Sequence, residues 1–169
     1  MFSINIAMIE NPRRLREINN ELVAVAYTKF LLSIDWNDSL LKSGLREGLN
    51  KFLSNAFLSL DKRGKYLQGD FYSKSALEKV HRSDFSDLIY EHIVPKRKYI
   101  QGPCEEMASQ GRLDVCFSKN LIDKYYKIAI ITSTEDAALN RFRMPHDWDG
   151  EDIFSRYKLI GLELFPSDF

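Results

Sequence analysis

The feature that most limits how this chain can fold is the helical spacing of apolar residues through its first third. Asn11 is a suitable cap and Pro12 a suitable first residue for a helix. Apolar residues recur every three or four positions from there to Leu32, and a second apolar face runs from Leu40 to Leu60. The sequence therefore predicts two long amphipathic helices that pack antiparallel.

The second half of the chain contains the shorter apolar runs that are typical of strands. One run, Leu88 to Val94, stops at Pro95, which cannot donate to a strand ladder. The other, Ile128 to Ile131, is rich in β-branched residues and leads into a pattern that predicts a helix. We expect an α+β fold in one compact domain, with a helical region over residues 1–65 packed on a small α+β region with a short sheet over residues 66–169.

Composition limits the partners that such a fold can bind. Lys+Arg and Asp+Glu are 24 each, so an anionic partner must be held by a local patch rather than by a global basic field. No apolar run approaches the roughly 18 residues of a membrane span, and the N-terminus lacks the pattern of a signal peptide. We expect a cytoplasmic protein with no membrane partner. A loose apolar alternation over Met1 to Met8 also fits a short strand.

One stretch places a proton-transfer group beside a basic cluster. An imidazole titrates near pH ~6.5, so His92 could act as general base at neutral pH. Its neighbour Glu91 points to the opposite face of a strand and cannot orient His92 directly. A phosphate would be bound by the basic residues that follow: Lys96, Arg97 and Lys98.

A second set of polar residues follows the second predicted strand. Thr132 and Ser133 lie where a strand meets a helix N-terminus, a position that favours anions, and Glu135 or Asp136 could orient His92. Arg156 and Tyr157 follow a turn and could reach the same pocket, where an arginine can bind phosphate in bidentate fashion. Together these residues predict a phosphate site at which two strand ends meet.

Each of these features also has a purely structural interpretation. His92 could be a hydrogen-bonded, half-buried histidine, and the basic triplet the solvated start of a helix. Thr132 with Glu135, or Ser133 with Asp136, would form a helix capping pair. Arg156 could belong to a structural ion pair. The sequence leaves both interpretations open.

The run Tyr90-Glu91-His92-Ile93-Val94-Pro95 resembles the first motif of HNH, or His-metal-finger, nucleases, in which an acidic residue and a histidine precede two apolar residues and a proline. The resemblance implies that His92 activates water and that Glu91 ligates a divalent metal such as Mg²⁺. By position, Asn140 and His146 would supply the later ligands of that family. It implies an endonuclease that hydrolyses phosphodiester bonds in DNA or RNA.

Two alternatives come from other residue combinations. A metal-independent, toxin-like endoribonuclease needs a histidine, a cation and a hydroxyl or carboxylate around one phosphate, because the RNA 2′-OH is the nucleophile. The candidates for that site are His92, Lys96, Thr132, Glu135 and Arg156. Activity that survives EDTA would favour it over the metal-dependent enzyme. The third hypothesis is a non-catalytic interaction protein or homo-oligomer that uses the first two helices. Nucleases of this size suggest a defence or toxin system by analogy only.

Overall fold

The computed structural model describes residues 12–140 and 142–167, so the strand predicted over Met1 to Met8 lies outside the described residues. The chain divides into two compact units. One contains the described residues up to Leu60 together with Cys104–Asp123. The other contains Asp61–Pro103 together with the described residues from Lys124 onward. The first break is close to the predicted boundary at residue 65, but the return of Cys104–Asp123 to the helical unit has no counterpart in the sequence prediction.

The secondary structure confirms the α+β fold class, with helices in the first half of the chain and a mixed sheet in the second. In chain order the elements are α1 (Pro12–Leu32), α2 (Ser39–Leu60), β1 (Phe71–Ser73), α3 (Lys74–His81), β2 (Leu88–His92), α4 (Gly102–Ser109), α5 (Val115–Tyr125), β3 (Ile128–Thr132), α6 (Ser133–Ala138), α7 (Ser155–Leu159) and β4 (Leu164–Pro166). A 3₁₀ turn precedes β1 at Lys65–Leu67, and a π-helical turn precedes α4 at Arg97–Gln101.

Contacts to aromatic rings join the two long helices of the first unit, while their antiparallel packing stays a prediction. Near the start of α1, the Arg16 guanidinium lies 5.1 Å from the centre of the Phe57 ring at the far end of α2. Near the end of α1, the Phe30 and Phe52 rings stack at 4.7 Å. A buried hydrogen bond of 2.8 Å between the hydroxyls of Thr28 and Ser118 ties the returning segment to α1. Such a long-range polar contact leaves no trace in local sequence patterns.

The sheet of the second unit has the strand order β2-β3-β1-β4, in which β1 pairs parallel with β3 and the other pairs are antiparallel. One apolar cluster of this unit is formed by Ile93, Ala129, Ile131, Leu139 and Tyr157. β3, which the local sequence predicted as a strand, is an inner strand, and its run of branched side chains is buried on both faces. β1 and β4 have three residues each, too few for a clear alternation pattern.

The register between β2 and β3 decides which polar residues can meet. Leu88 pairs with Thr132 at one end, and His92 pairs with Ile128 at the other. At a rise near 3.3 Å per residue, the two ends lie about 13 Å apart. Glu91 pairs with Ala129 and shares its face of the sheet, so the His92 side chain points to the opposite face, as predicted.

Element ends differ from the sequence predictions where tertiary packing takes over. β2 ends at His92 rather than Val94. α6 ends at Ala138, because Leu139 turns to an extended conformation (φ −84°, ψ 145°) and enters the core. α7 ends at Leu159, and β4 starts at Leu164.

Candidate functional site

Arg156 is a buried clamp in the second unit. Its residue is 2% exposed. Nη2 lies 2.9 Å from a Glu91 carboxylate oxygen, and Nη1 donates to the Asn140 carbonyl at 2.7 Å. Nε donates to the Ile93 carbonyl at 3.1 Å, and Nη2 also donates to the His92 carbonyl. The guanidinium therefore joins the end of β2 to the loop after α6, and all three of its nitrogens are bonded to the protein.

This network supports the structural interpretation of Arg156. A phosphate that took the place of the Glu91 carboxylate would leave that carboxylate partly buried beside the cluster, with 16% of its side chain exposed. Burial of an ion pair is stabilising only when the hydrogen bonds are well made, and here three carbonyl groups complete them. In these contacts Arg156 donates to the protein and Glu91 is paired with Arg156, so the roles of Arg156 in charge stabilisation and of Glu91 in metal binding stay predictions.

His92 lies on the other face of the sheet, half-buried between tyrosine rings. The Tyr126 ring is 5.3 Å away and the Tyr90 ring 6.0 Å away, both edge-on. Burial lowers the pKa of His92 to about 3, and the positive charges of Lys96 and Arg156 act in the same direction. The imidazole is therefore neutral at neutral pH, but a group with such a low pKa is a weak general base.

The predicted phosphate site at two adjacent strand ends is wrong, because the register holds Thr132 at the opposite end of the strand pair from His92. Thr132 and Glu135 form a capping box instead. The Glu135 N–H donates to Thr132 Oγ1 at 3.3 Å, and a Glu135 carboxylate oxygen accepts from the Thr132 N–H at 2.7 Å. The Ser73 hydroxyl donates to the same carboxylate at 2.7 Å. Ser133 follows at this far end and is exposed.

A cleft of about 960 Å³ opens on the second unit, between the π-helical turn, the loop after α6 and α7. Its described lining contains four basic or imidazole groups and no acidic residue: Lys98, Arg143, His146 and Arg156. The first three are exposed. Aromatic and apolar residues form the rest of the wall, among them Tyr99, Phe142, Met144, Trp148, Leu159 and Ile160. We call this cavity the cationic cleft.

The π-helical turn brings Lys98 and Tyr99 to the cationic cleft. The Gly102 N–H bonds back to the Arg97 carbonyl, five residues earlier, which closes the wide turn. A Cβ at Gly102 would lie 3.1 Å from that oxygen, so a larger residue would press on the turn. The Lys98 ammonium lies 5.2 Å from the centre of the Tyr99 ring. π-helical turns are frequent at functional sites because they redirect side chains within a helix.

The loop after α6 is shaped by Asn140. Its side-chain oxygen accepts from the Phe142 N–H at 3.1 Å and from the Arg143 N–H at 3.2 Å, a local bond that asparagine commonly makes in turns. Leu139 and Met144 are 7% and 5% exposed and anchor the loop on either side. The N–H groups of Phe142 and Arg143 are thus bonded to Asn140, and both residues line the cleft.

The structure brings four of the predicted site residues to one cavity. Lys98, Asn140, His146 and Arg156 line the cationic cleft, whereas Glu91, His92, Lys96 and Arg97 are absent from its described lining. Burial lowers the pKa of Lys96. Tyr157 is 1% exposed, and burial raises the pKa of its hydroxyl; it lines a separate, largely apolar pocket of about 280 Å³.

Sequence reasoning missed Arg143, Phe142 and Trp148. The signal that could have found two of them is the run Arg141-Phe142-Arg143, in which an aromatic residue stands between two arginines just before Met144-Pro145. Basic and aromatic residues interleaved in this way are typical of nucleic-acid contacts. Trp148 gives no such signal, because only the fold brings it to within 4.9 Å of the Tyr99 ring.

The residues present do not fit the metal that the motif implies. The described part of the chain contains no group of three His, Cys, Asp or Glu side chains placed to hold a metal ion. Glu91 is paired with the Arg156 guanidinium, and the Asn140 side-chain oxygen is bonded to backbone N–H groups. A divalent cation would have to compete with these contacts.

The first unit has one surface that bears on the interaction hypothesis. Along α1, the apolar residues Leu15, Ile18 and Leu22 are 44%, 43% and 52% exposed. Ile18 and Leu22 help to line a shallow groove of about 390 Å³ beside Glu17 and Glu21. Spacing of three and four residues puts these side chains on one face of the helix.

No protein-family model, curated protein or solved structure matches this chain. Within residues 12–140 and 142–167, no helix combines the length and the apolar character needed to cross a membrane. The function is therefore inferred from the placement of the chain's own side chains.

Proposed function

We propose that this protein binds nucleic acid and that the phosphodiester backbone lies in the cationic cleft. The observation that carries the proposal is the lining: Lys98 and Arg143 are exposed there, and no described lining residue is acidic. On a chain with 24 basic and 24 acidic residues, such a local excess of one sign is what attracts a polyanion.

The two cations suit phosphate in different ways. Arg143 carries a planar guanidinium that can donate two parallel hydrogen bonds to phosphate oxygens, whereas Lys98 acts as a point charge. Both are free to respond to a ligand because they lie at the surface. Arg156, behind them, keeps its donors on the protein, and its charge is balanced by the paired Glu91 carboxylate.

A binding assay tests this proposal. Fluorescence anisotropy with labelled RNA and DNA should show that Lys98→Ala and Arg143→Ala each weaken binding. Matched controls exist on α2, where the exposed Lys42 and Arg46 can be changed to alanine without touching the cleft. Wild-type protein that binds neither nucleic acid, or cleft variants that bind like the α2 controls, would contradict the proposal.

Phosphodiester cleavage is a second proposal, and we place it in the cleft in its metal-independent form. The observation that favours it is His146, an exposed imidazole in the same lining as Lys98 and Arg143. The RNA 2′-oxygen would attack the adjacent phosphorus, His146 would take the hydroxyl proton, and the 5′-oxygen would leave. The cations would stabilise the charge that develops on the phosphate oxygens.

Denaturing gels separate the enzymatic alternatives. Cleavage of RNA that persists in EDTA, fails on a 2′-deoxy substrate and is lost in His146→Gln would support the proposal. His81→Gln serves as a control, since His81 is exposed and is absent from the described cleft lining. Loss of activity in EDTA, together with loss in His92→Gln, would favour the His-metal-finger enzyme with Glu91, Asn140 and His146 as ligands. That form stays a prediction from the motif.

The interaction-protein hypothesis is supported by the exposed apolar face of α1. Ile18→Lys would place a charge in the middle of that face, and a homo-oligomer formed through it should dissociate. Sedimentation of wild-type and variant protein decides between these possibilities, because a wild-type monomer would exclude the homo-oligomer.

We also propose a cytoplasmic location. It is compatible with Cys104 and Cys116, which are both free thiols; recovery of the tagged protein in another cell fraction would contradict it.

A further inference from the structure

We infer that the ligand of the cationic cleft is single-stranded nucleic acid, with an unpaired base stacked on the exposed Phe142 ring. This inference rests on the proposed function and adds the substrate class. Phe142 is 79% exposed although phenylalanine is usually buried. It belongs to the same lining as Lys98 and Arg143.

Phe142 lies in the chain between two buried residues, Leu139 and Met144. The Phe142 backbone N–H is bonded to the Asn140 side chain at 3.1 Å. The exposed ring is next to Arg143 in the chain and both line the cleft, an arrangement suited to bind one nucleotide through both its base and its phosphate.

The remaining rim of the cleft is apolar as well. Leu159 is 74% exposed and Ile160 38% exposed, and both line the cleft with Phe142. Deeper in the wall, Trp148 and Tyr99 are held edge to face at 4.9 Å. The Trp148 indole N–H also donates to the Asp152 carbonyl at 2.8 Å. Phe142 is therefore the ring that is most open to a ligand, while the other two are fixed.

These features favour a single strand over a duplex. In a duplex the faces of the bases are stacked on one another, so away from the ends an exposed ring can contact base edges, sugar and phosphate but cannot stack on a base. A single strand offers every base face, and stacking on an aromatic side chain tolerates any base. The cleft volume of about 960 Å³ is at the upper end of the range for small-ligand pockets, which suits a short stretch of one strand.

Variants at Phe142 test the stacking directly. Phe142→Leu keeps an apolar side chain and removes the aromatic face, whereas Phe142→Trp keeps the face. Phe85→Leu is the control, because Phe85 is a 41% exposed ring that is absent from the described cleft lining. The probes are short single strands of RNA and DNA, a blunt duplex of the same sequence, and inorganic polyphosphate as a polyanion without bases.

We expect wild-type protein to bind the single strands more tightly than the duplex or polyphosphate. Phe142→Leu should weaken single-strand binding at least about fivefold, and leave polyphosphate binding unchanged. Phe142→Trp and Phe85→Leu should behave like wild type. Equal affinity for single strand and duplex, or an unchanged single-strand affinity in Phe142→Leu, would overturn the inference. If that variant instead only altered self-association, the ring would be a protein contact and the inference would equally fall.

The proposed function and the inference fail in different ways. If wild-type protein binds none of the probes, polyphosphate included, the proposed function itself is wrong. If all probes bind equally and Lys98→Ala weakens them all, the cleft is a phosphate site and only the single-strand inference is wrong.

Discussion

Two places in the second unit concentrate positive charge, and they use it in opposite ways. At the end of β2, Arg156 is buried and donates to Glu91 and to backbone carbonyls. In the cationic cleft, Lys98 and Arg143 are exposed and face a cavity whose described lining has no carboxylate. The same residue types thus hold the fold together in one place and present charge to a ligand in the other.

The comparison teaches that residue type alone does not identify a functional cation. By residue type and by its position after a turn, Arg156 resembles a phosphate ligand. Its donors are satisfied within the protein, whereas the cleft cations lie where water and ligands reach them. Mutations test this contrast, because those at Arg156 and its partners should lower stability and those in the cleft should lower binding.

The largest expected effect is on stability, at Arg156. In Arg156→Gln the positive charge beside Glu91 is lost, and the carbonyls of Ile93 and Asn140 lose their donors. We expect the free energy of unfolding to fall by about 3–5 kcal/mol, as when one partner of a buried pair is removed. Urea denaturation measures it, with Arg46→Gln as the exposed control. A loss below about 1 kcal/mol would mean that Arg156 is not a clamp.

A smaller loss is expected at Glu91. Glu91→Gln keeps the shape of the side chain and removes its charge, so Arg156 retains carbonyl acceptors but loses its ion pair. We expect the free energy of unfolding to fall by about 1–3 kcal/mol in the presence of EDTA. Full stability in EDTA together with lost Mg²⁺ binding would instead support the metal site and would remove the distinction between the two places.

The third prediction concerns the pH dependence of stability at His92. Its pKa in the folded protein is about 3, compared with 6.5 for the ordinary side chain, so the unfolded chain binds the proton more readily. Stability from this group is complete above pH 6.5 and is lost as pH falls toward about 3. One proton can contribute at most about 1.4 kcal/mol per pH unit.

His92→Gln should therefore flatten the acid side of the stability curve, measured as thermal midpoint against pH, whereas His81→Gln should not. An equal effect of the two variants would show that His92 is not held neutral. His92 would then again be a candidate general base, and the proton-transfer site could lie outside the cleft.

Local patterns in the sequence predicted the elements but not their placement. The apolar spacing up to Leu60 and the pairing of Thr132 with Glu135 depend on neighbours within a turn or two, and the structure confirms both the helices and the cap. The register of β2 on β3 depends on packing between distant segments, so the expected meeting of Thr132 with His92 was wrong.

The same distinction explains the site. Lys98, Asn140 and His146 were singled out from sequence, and the fold brings them to one cleft. Their grouping could not be predicted, because it depends on the π-helical turn and on a loop fastened by buried residues. The buried position of Arg156 is likewise a tertiary property, since Asn140 is 16 residues away in the chain and Glu91, His92 and Ile93 are 63 to 65 residues away.

The salt dependence of binding is the direct test of whether nucleic acid lies in the cationic cleft. Trp148 lies in the cleft wall and is one of two tryptophans, so in a Trp36→Phe background its fluorescence reports on the cleft alone. Each phosphate contact on a single strand contributes about 0.7 to the slope of log affinity against log salt. If Lys98 and Arg143 bind phosphates, changing both to alanine should lower that slope by about 1.4. An unchanged slope, with Lys42→Ala/Arg46→Ala as the reference, would contradict binding of nucleic acid in the cleft.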